Sequence, residues 1–133
     1  MMNLQETQRI KDAVEQNPQD FEKIIESTKI GVCVTNEDGI YVGMNEAYLN
    51  ILSYQRNEML GKSFMMVVPT EKQKELQQLH DDFIAIQIEM FDKFSIIDKF
   101  GKLVYIDVDA GFSDKIHGAA HKLTFVQKAT ADK

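Results

Sequence analysis

The stretch FSIIDKFGKLVYIDVDAGF, residues 94–112, constrains the fold more than any other part of the chain. Phe94 and Ile96 recur at every second position, and so, past the turn signal DKFGK, do Val104, Ile106, Val108, Ala110 and Phe112. Side chains of a strand point alternately to its two faces, whereas a helix would scatter this set around its circumference. Two strands joined by a tight turn are therefore expected, each with an apolar face that needs a covering layer.

The rest of the chain supplies more strands and that layer. Ile30 to Thr35 (IGVCVT) is a β-branched run, Asn36 to Gly39 is a turn signal, and Ile40 to Met44 is a second strand. Asn45 is a good N-cap for a short helix through Glu46, Ala47, Tyr48 and Leu52, and Tyr54 to Leu60 reads as another helical turn stopped at Gly61. Thr70 and Gln73, after Pro69, have the spacing of a capping box and open the longest helix of the domain, with Leu76, Leu79, His80 and Phe83 on neighbouring turns. Leu123 and Phe125 mark a final strand.

Upstream, Leu4, Ile10, Ala13 and Val14 form a narrow helical stripe that Asn17 and Pro18 interrupt, because the residue before a proline is pushed out of the helical region. A second helix from Pro18 to about Ser27 carries Phe21, Ile24 and Ile25. We expect a flanking helix at residues 1–17 and one α+β domain at 18–130. It is a five-stranded antiparallel sheet with helices packed on one face, and a pocket between the two layers.

At 133 residues with 44% hydrophobic content, the chain is large enough for one core and too short for two ordinary domains. Fifteen Lys and Arg against 21 Asp and Glu give a charge of −6, which argues against nucleic acid and anionic membranes as partners. The single cysteine, Cys33, rules out an intrachain disulfide and suits a reducing, cytoplasmic compartment. Apolar runs such as Phe64 to Val68 fall far short of the ~20 residues of a membrane helix.

Residues 30–69, IGVCVTNEDGIYVGMNEAYLNILSYQRNEMLGKSFMMVVP, resemble the opening half of a PAS domain, a sensory module of bacterial signalling proteins. The pieces come in the family's order: an apolar strand, the Asp38-Gly39 turn, a strand ending in Asn45, Ala47 and Tyr48 in the next helix, Glu58-Met59-Leu60-Gly61-Lys62, then Pro69. Ser53 stands where the family commonly has glycine, and the usual Asp near the end of the last strand is absent. The resemblance implies a non-enzymatic sensor or interaction module, dimeric, acting on an output domain or a dimer partner.

The cofactors of such domains impose recognisable chemistry. No cysteine follows Gly61 for a covalent flavin adduct, and Pro69-Thr70-Glu71 offers none for coumarate. HDDFIA, residues 80–85, resembles the segment around the proximal histidine of haem-containing PAS sensors, so His80 as an axial haem ligand is an alternative reading. The spacing from Pro69 to His80 is about one turn longer than in those sensors, and their arginine on the following strand has no counterpart. The leading reading is a small ligand in a pocket lined by Met44, Tyr48, Leu52, Met66, Phe83, Phe94, Ile106 and Phe125, with a solid core of the same residues standing equally beside it.

Enzymatic readings rest on less. Asp107 and Asp109 share one strand face about 7 Å apart, a spacing compatible with a small acidic site, although the solvent side of the sheet accounts for them equally. His117 and His121 have helical zinc-ligand spacing but lie in a loop entering a strand, where solvated side chains are expected. Cys33, inside the first strand, reads as packing.

Overall fold

The computed structural model describes residues 2–87 and 90–129. After helix α1 (Leu4–Gln16) come a 3-10 turn (Pro18–Asp20) and α2 (Phe21–Ile25); β1 (Gly31–Asn36) and β2 (Tyr41–Met44) lead into α3 (Glu46–Leu52) and α4 (Arg56–Met59). Two further 3-10 turns precede α5 (Gln73–Ile86), and β3 (Met90–Ile97), β4 (Leu103–Ser113) and β5 (His121–Lys128) complete the chain. The strands form one antiparallel sheet in the order β2-β1-β5-β4-β3, with the last strand at its centre.

The period-two stretch is the β3-β4 hairpin, with Phe94 opposite Ile106 and Ile96 opposite Val104. Its turn closes because the Asp98 carboxylate accepts from the N–H groups of Phe100 and Lys102, each at 2.9 Å, while Gly101 takes the left-handed conformation. The Lys99 N–H then donates to the Leu52 carbonyl at 3.0 Å, which fastens the hairpin tip to the end of α3.

Both faces of the sheet are covered. On one, Cys33, Ile96, Val104, Ile106, Val108 and Val126 pack with Tyr48, Leu49, Leu52 and Met59 of α3 and α4. On the other, Val32, Val34, Leu123 and Phe125 pack with Ile10 and Val14 of α1 and Phe21 and Ile25 of α2. The N-terminal stripe is thus consumed within its own chain, although Leu4 remains half exposed. Lys11 follows the same path: its ammonium lies 3.1 Å from the Asp109 carboxylate with both side chains nearly buried, and its stem covers Gly111. A Cβ at Gly111 would come within 2.9 Å of the Lys11 stem.

Asn45 joins four segments. Its side-chain oxygen accepts from the N–H of Val32 at 2.9 Å and of Tyr48 at 3.0 Å, and its amide donates to the carbonyls of Ile25 at 2.7 Å and Ile30 at 2.9 Å. The expected N-cap is therefore also a buried clip between α2, the entry to β1, and α3. An asparagine suits this place because it alone presents two donors and an acceptor on one planar group of this size.

Two local expectations change. Thr70 makes no capping bond; it begins a 3-10 turn (Thr70–Lys72), and Gln73 instead donates to the carbonyls of Met65 and Val68 at 3.4 Å each. Ser53 ends α3 at φ 65°, a left-handed position that costs a non-glycine residue on the order of 1 kcal/mol, which explains the family's glycine there.

Removing the clip strands two buried N–H groups and two carbonyls, so Asn45→Ala is expected to lower stability by at least about 3 kcal/mol in urea denaturation. Asn45→Asp keeps the acceptor but turns a carboxylate toward the two carbonyls; it should be no better at pH 7 and should recover part of the loss when acid protonates it. Lys11→Met leaves the Asp109 carboxylate buried beside α1 and should cost about 3–5 kcal/mol, whereas Lys11→Met with Asp109→Leu should restore most of it.

Candidate functional site

Between the sheet and α5 lies a cavity of about 80 Å³. Its floor is the cap-facing side of β1, β5 and β4, through Cys33, Thr35, Lys122, Thr124, Val126, Ile106 and Val108. Tyr41, Tyr48, Phe64 and Val67 close one side, and Leu76, Leu79 and His80 of α5 form the roof. Leu76, Phe94, Ser95 and Ile106 also line an outer cleft between α5 and β3, so the two spaces adjoin through them.

Of the residues expected at a pocket, Tyr48, Phe94, Ile106 and His80 meet here. Met44 and Leu52 are buried in the adjoining core, Met66 packs against it, and Phe83 lies under α5 beside Lys122. Phe125 does not belong with them. It projects from the opposite face of β5 into the layer formed by α1 and α2, because Leu123 and Phe125 share one side of the strand and Lys122, Thr124 and Val126 the other.

Polarity is concentrated at specific points. The hydroxyls of Tyr41 and Tyr48 are 2.6 Å apart, and burial holds both phenols well above their ordinary pKa. Cys33 sits against Tyr48, and burial pushes its thiol up to about 11, so at neutral pH it is a packed, protonated group. Lys122 lines the cavity and places its ammonium 5.0 Å from the centre of the Phe83 ring. Desolvation lowers its pKa, and among the described residues no carboxylate pairs with it.

His80 is buried, with Nε2 2.9 Å from the Glu37 carbonyl and its ring 5.3 Å from that of Phe64. A carbonyl can only accept, so Nε2 carries the proton and donates. Burial lowers the His80 pKa below its ordinary value of 6.5 and outweighs the bond to Glu37; Lys122 pushes the same way, while Asp81 and Asp38 oppose it weakly. Haem does not fit this arrangement. The Nε2 atom is already engaged, and the cavity is several-fold smaller than the ~300–1,000 Å³ of pockets for drug-sized ligands.

The other expected chemistry is dispersed. Asp107 and Asp109 are buried, not on a solvent face: Asp107 lies 2.6 Å from the ammonium of Lys93, and Asp109 is held by Lys11. His117 is exposed, but His121 is buried and its Nδ1 lies 2.8 Å from the Ala119 carbonyl; the two rings meet edge to face at 5.9 Å. No group of three His, Cys, Asp or Glu suited to a metal occurs among the described residues. Sequence reasoning missed Lys122, Thr35 and Thr124, whose signal was a polar residue at every second position of strands that are covered on both faces.

A histidine held neutral by burial makes stability pH-dependent. The folded state resists the proton that the unfolded chain accepts, so the stability conferred is complete above about pH 6.5 and is lost as the pH falls toward the depressed folded value. His80→Gln keeps a donor for Glu37 without the titration. Chemical denaturation from pH 7 to pH 5 should show a shallower loss of stability in this variant than in the parent.

The fold recurs in solved structures of low sequence identity. The PAS domain of an HTR-like protein from Haloarcula marismortui superposes with a TM-score of 0.71 at 16% identity, over 92% of this chain and 99% of that one. The PAS domain of Bordetella pertussis BvgS gives 0.70 at 15%, over 87% and 88%, and a sensory box histidine kinase/response regulator domain from Geobacter sulfurreducens 0.67 at 13%, over 84% and 93%. No curated protein matches the sequence. No helix among the described residues is long and apolar enough to cross a membrane. The sequence model described as the PAS fold matches residues 19–111, from the turn after α1 to near the end of β4, and the chain belongs to the PAS family.

Proposed function

We propose that this chain is a sensory PAS module in which a small ligand enters the space under α5 and alters how the sheet meets its neighbours. PAS domains of sensor kinases are signalling modules, and two similar structures are described as domains of sensor histidine kinases. The observation that carries the reading is the cavity itself. It lies on the covered face of the central strands, is roofed by a helix that buries only His80 and Phe83, and adjoins an outer cleft through four shared residues.

The relay in this reading is short. Val108 faces the cavity and the next residue, Asp109, holds Lys11 of α1 on the other side. A shift of β4 under the ligand therefore acts on α1, which passes the change to a dimer partner or an output domain in the same cytoplasmic pathway. Catalysis plays no part in it: each candidate carboxylate has its own lysine, and the thiol is buried and protonated.

Two- to four-carbon acids, alcohols and amides are the probes that match the cavity. In ¹H–¹⁵N spectra of the full chain, at least one of these classes should shift the amides of Cys33, Thr35, His80 and Thr124 in a saturable way. Val126→Phe, which fills the floor, should abolish the shifts while leaving a folded spectrum. A panel with no saturable member, or shifts indifferent to the filled floor, overturns the ligand reading.

A further inference from the structure

The cap-facing side chains of the two central strands form a patch that a solid core would not contain. Thr35 lies opposite Lys122, and Cys33 opposite Thr124, so two threonines, a thiol and a lysine occupy adjacent places on the floor of the cavity. Apolar Val126 and Val108 continue the same surface. The neighbouring positions on the other face, Leu123 and Phe125, are apolar and nearly inaccessible. On β5, therefore, Lys122 and Thr124 turn toward the cavity, while Leu123 and Phe125 turn away from it.

Lys122 is partly buried, and desolvating its ammonium carries a cost that a paired charge would offset. The contact Lys122 makes is with the face of Phe83, worth about 0.5–2 kcal/mol, and among the described residues no carboxylate balances it. His80, on the roof, is held neutral and raises the positive potential no further. The tyrosine pair adds a donor. One proton serves the bond between the two hydroxyls, leaving a second O–H whose neighbour is the weakly accepting sulfur of Cys33.

From this arrangement we infer that the cavity takes a small monoanion, a short-chain carboxylate, with its charge on Lys122 and its carbon tail against Val108, Val126 and Ile106. The inference rests on the ligand reading above and names the class of ligand. The volume sets the size: about 80 Å³ is roughly half the ~150 Å³ of an engineered cavity that accepts benzene, which suits two to four carbons and excludes a peptide side chain with its backbone. A carboxylate on Lys122 also competes with Phe83 for the ammonium. Phe83 and His80 are the buried residues of α5, so occupancy changes what holds the roof down.

Thermal unfolding and NMR titration of the full chain with sodium propionate, propionamide, 1-propanol and sodium chloride, at matched ionic strength, test this. Propionate should raise the melting temperature and shift the Thr35 and Thr124 amides saturably, with propionamide at least tenfold weaker. Lys122→Met removes the charge but keeps a stem of similar shape; it should fold and should lose at least tenfold in propionate affinity. Bound propionate should also raise the pH at which the His80 ring titrates, a readout that nonspecific stabilisation would not move. Equal binding of propionamide or 1-propanol, or propionate binding unchanged in Lys122→Met, overturns the anion inference and leaves a neutral-ligand pocket standing. An effect matched by chloride overturns it as a general salt effect. No binding by any probe overturns this inference and the ligand reading together.

Discussion

The fold depends on one buried amide. Asn45 ends β2, caps α3 and satisfies backbone groups at Ile25, Ile30 and Val32, so one planar side chain fixes where α2 stops, where β1 starts and where α3 points. A surface clip backs it. Arg56 donates to the Met44 carbonyl at 3.0 Å and meets Glu26 and Glu46, while Glu26 accepts from the N–H of Glu46. Individually these exposed pairs contribute little, but they hold the same junction from outside. With α3 so placed, Tyr48 stands over Tyr41, and that pair closes one side of the cavity.

Much of this was legible because the signals were local. The Asp38-Gly39 turn, Asn45 as N-cap and the DKFGK hairpin each depend on residues within a few positions of one another, and period-two alternation identified both long strands. What alternation cannot say is what each face meets. Asp109 was compatible with a solvent face until α1 is seen to lie over it, and Lys11, 98 positions away, carries no local sign that it is the partner. Thr70 misled for a related reason. The capping-box spacing is present, but the 3-10 turn after Pro69 delays α5 until Gln73, where Gln73 bonds back to the preceding turn instead.

The site was less legible because a pocket inverts the rule used to find cores. Apolar residues mark the buried face of a strand, so Phe125 drew attention as a pocket wall, yet with Leu123 it packs in the layer against α1. The cavity instead collects Lys122 and Thr124, polar positions that an apolar pattern does not single out. His80 was identifiable by its spacing on the helix, but its bond to the carbonyl of Glu37, 43 positions away in the chain, is set by the β1-β2 turn and cannot be read from either segment alone.

The two layers share the strands between them. On β4 the side chains alternate between cavity and α1, so Val108 and Asp109 report to opposite faces across one peptide unit. On β5 the same holds for Thr124 and Phe125. A close-packed sheet does not absorb a displacement on one face without moving the other, because voids large enough to take it up are rare in protein interiors. The Lys11–Asp109 pair makes the outer face sensitive to such movement, since a nearly buried ion pair is stable only in good geometry. In the proposed relay the coupling is reciprocal: whatever favours the α1 arrangement would favour one state of the cavity by the same free energy. Under the proposed ligand reading, a partner that gripped α1 would therefore tune ligand affinity, and the module would be set from either side of its sheet.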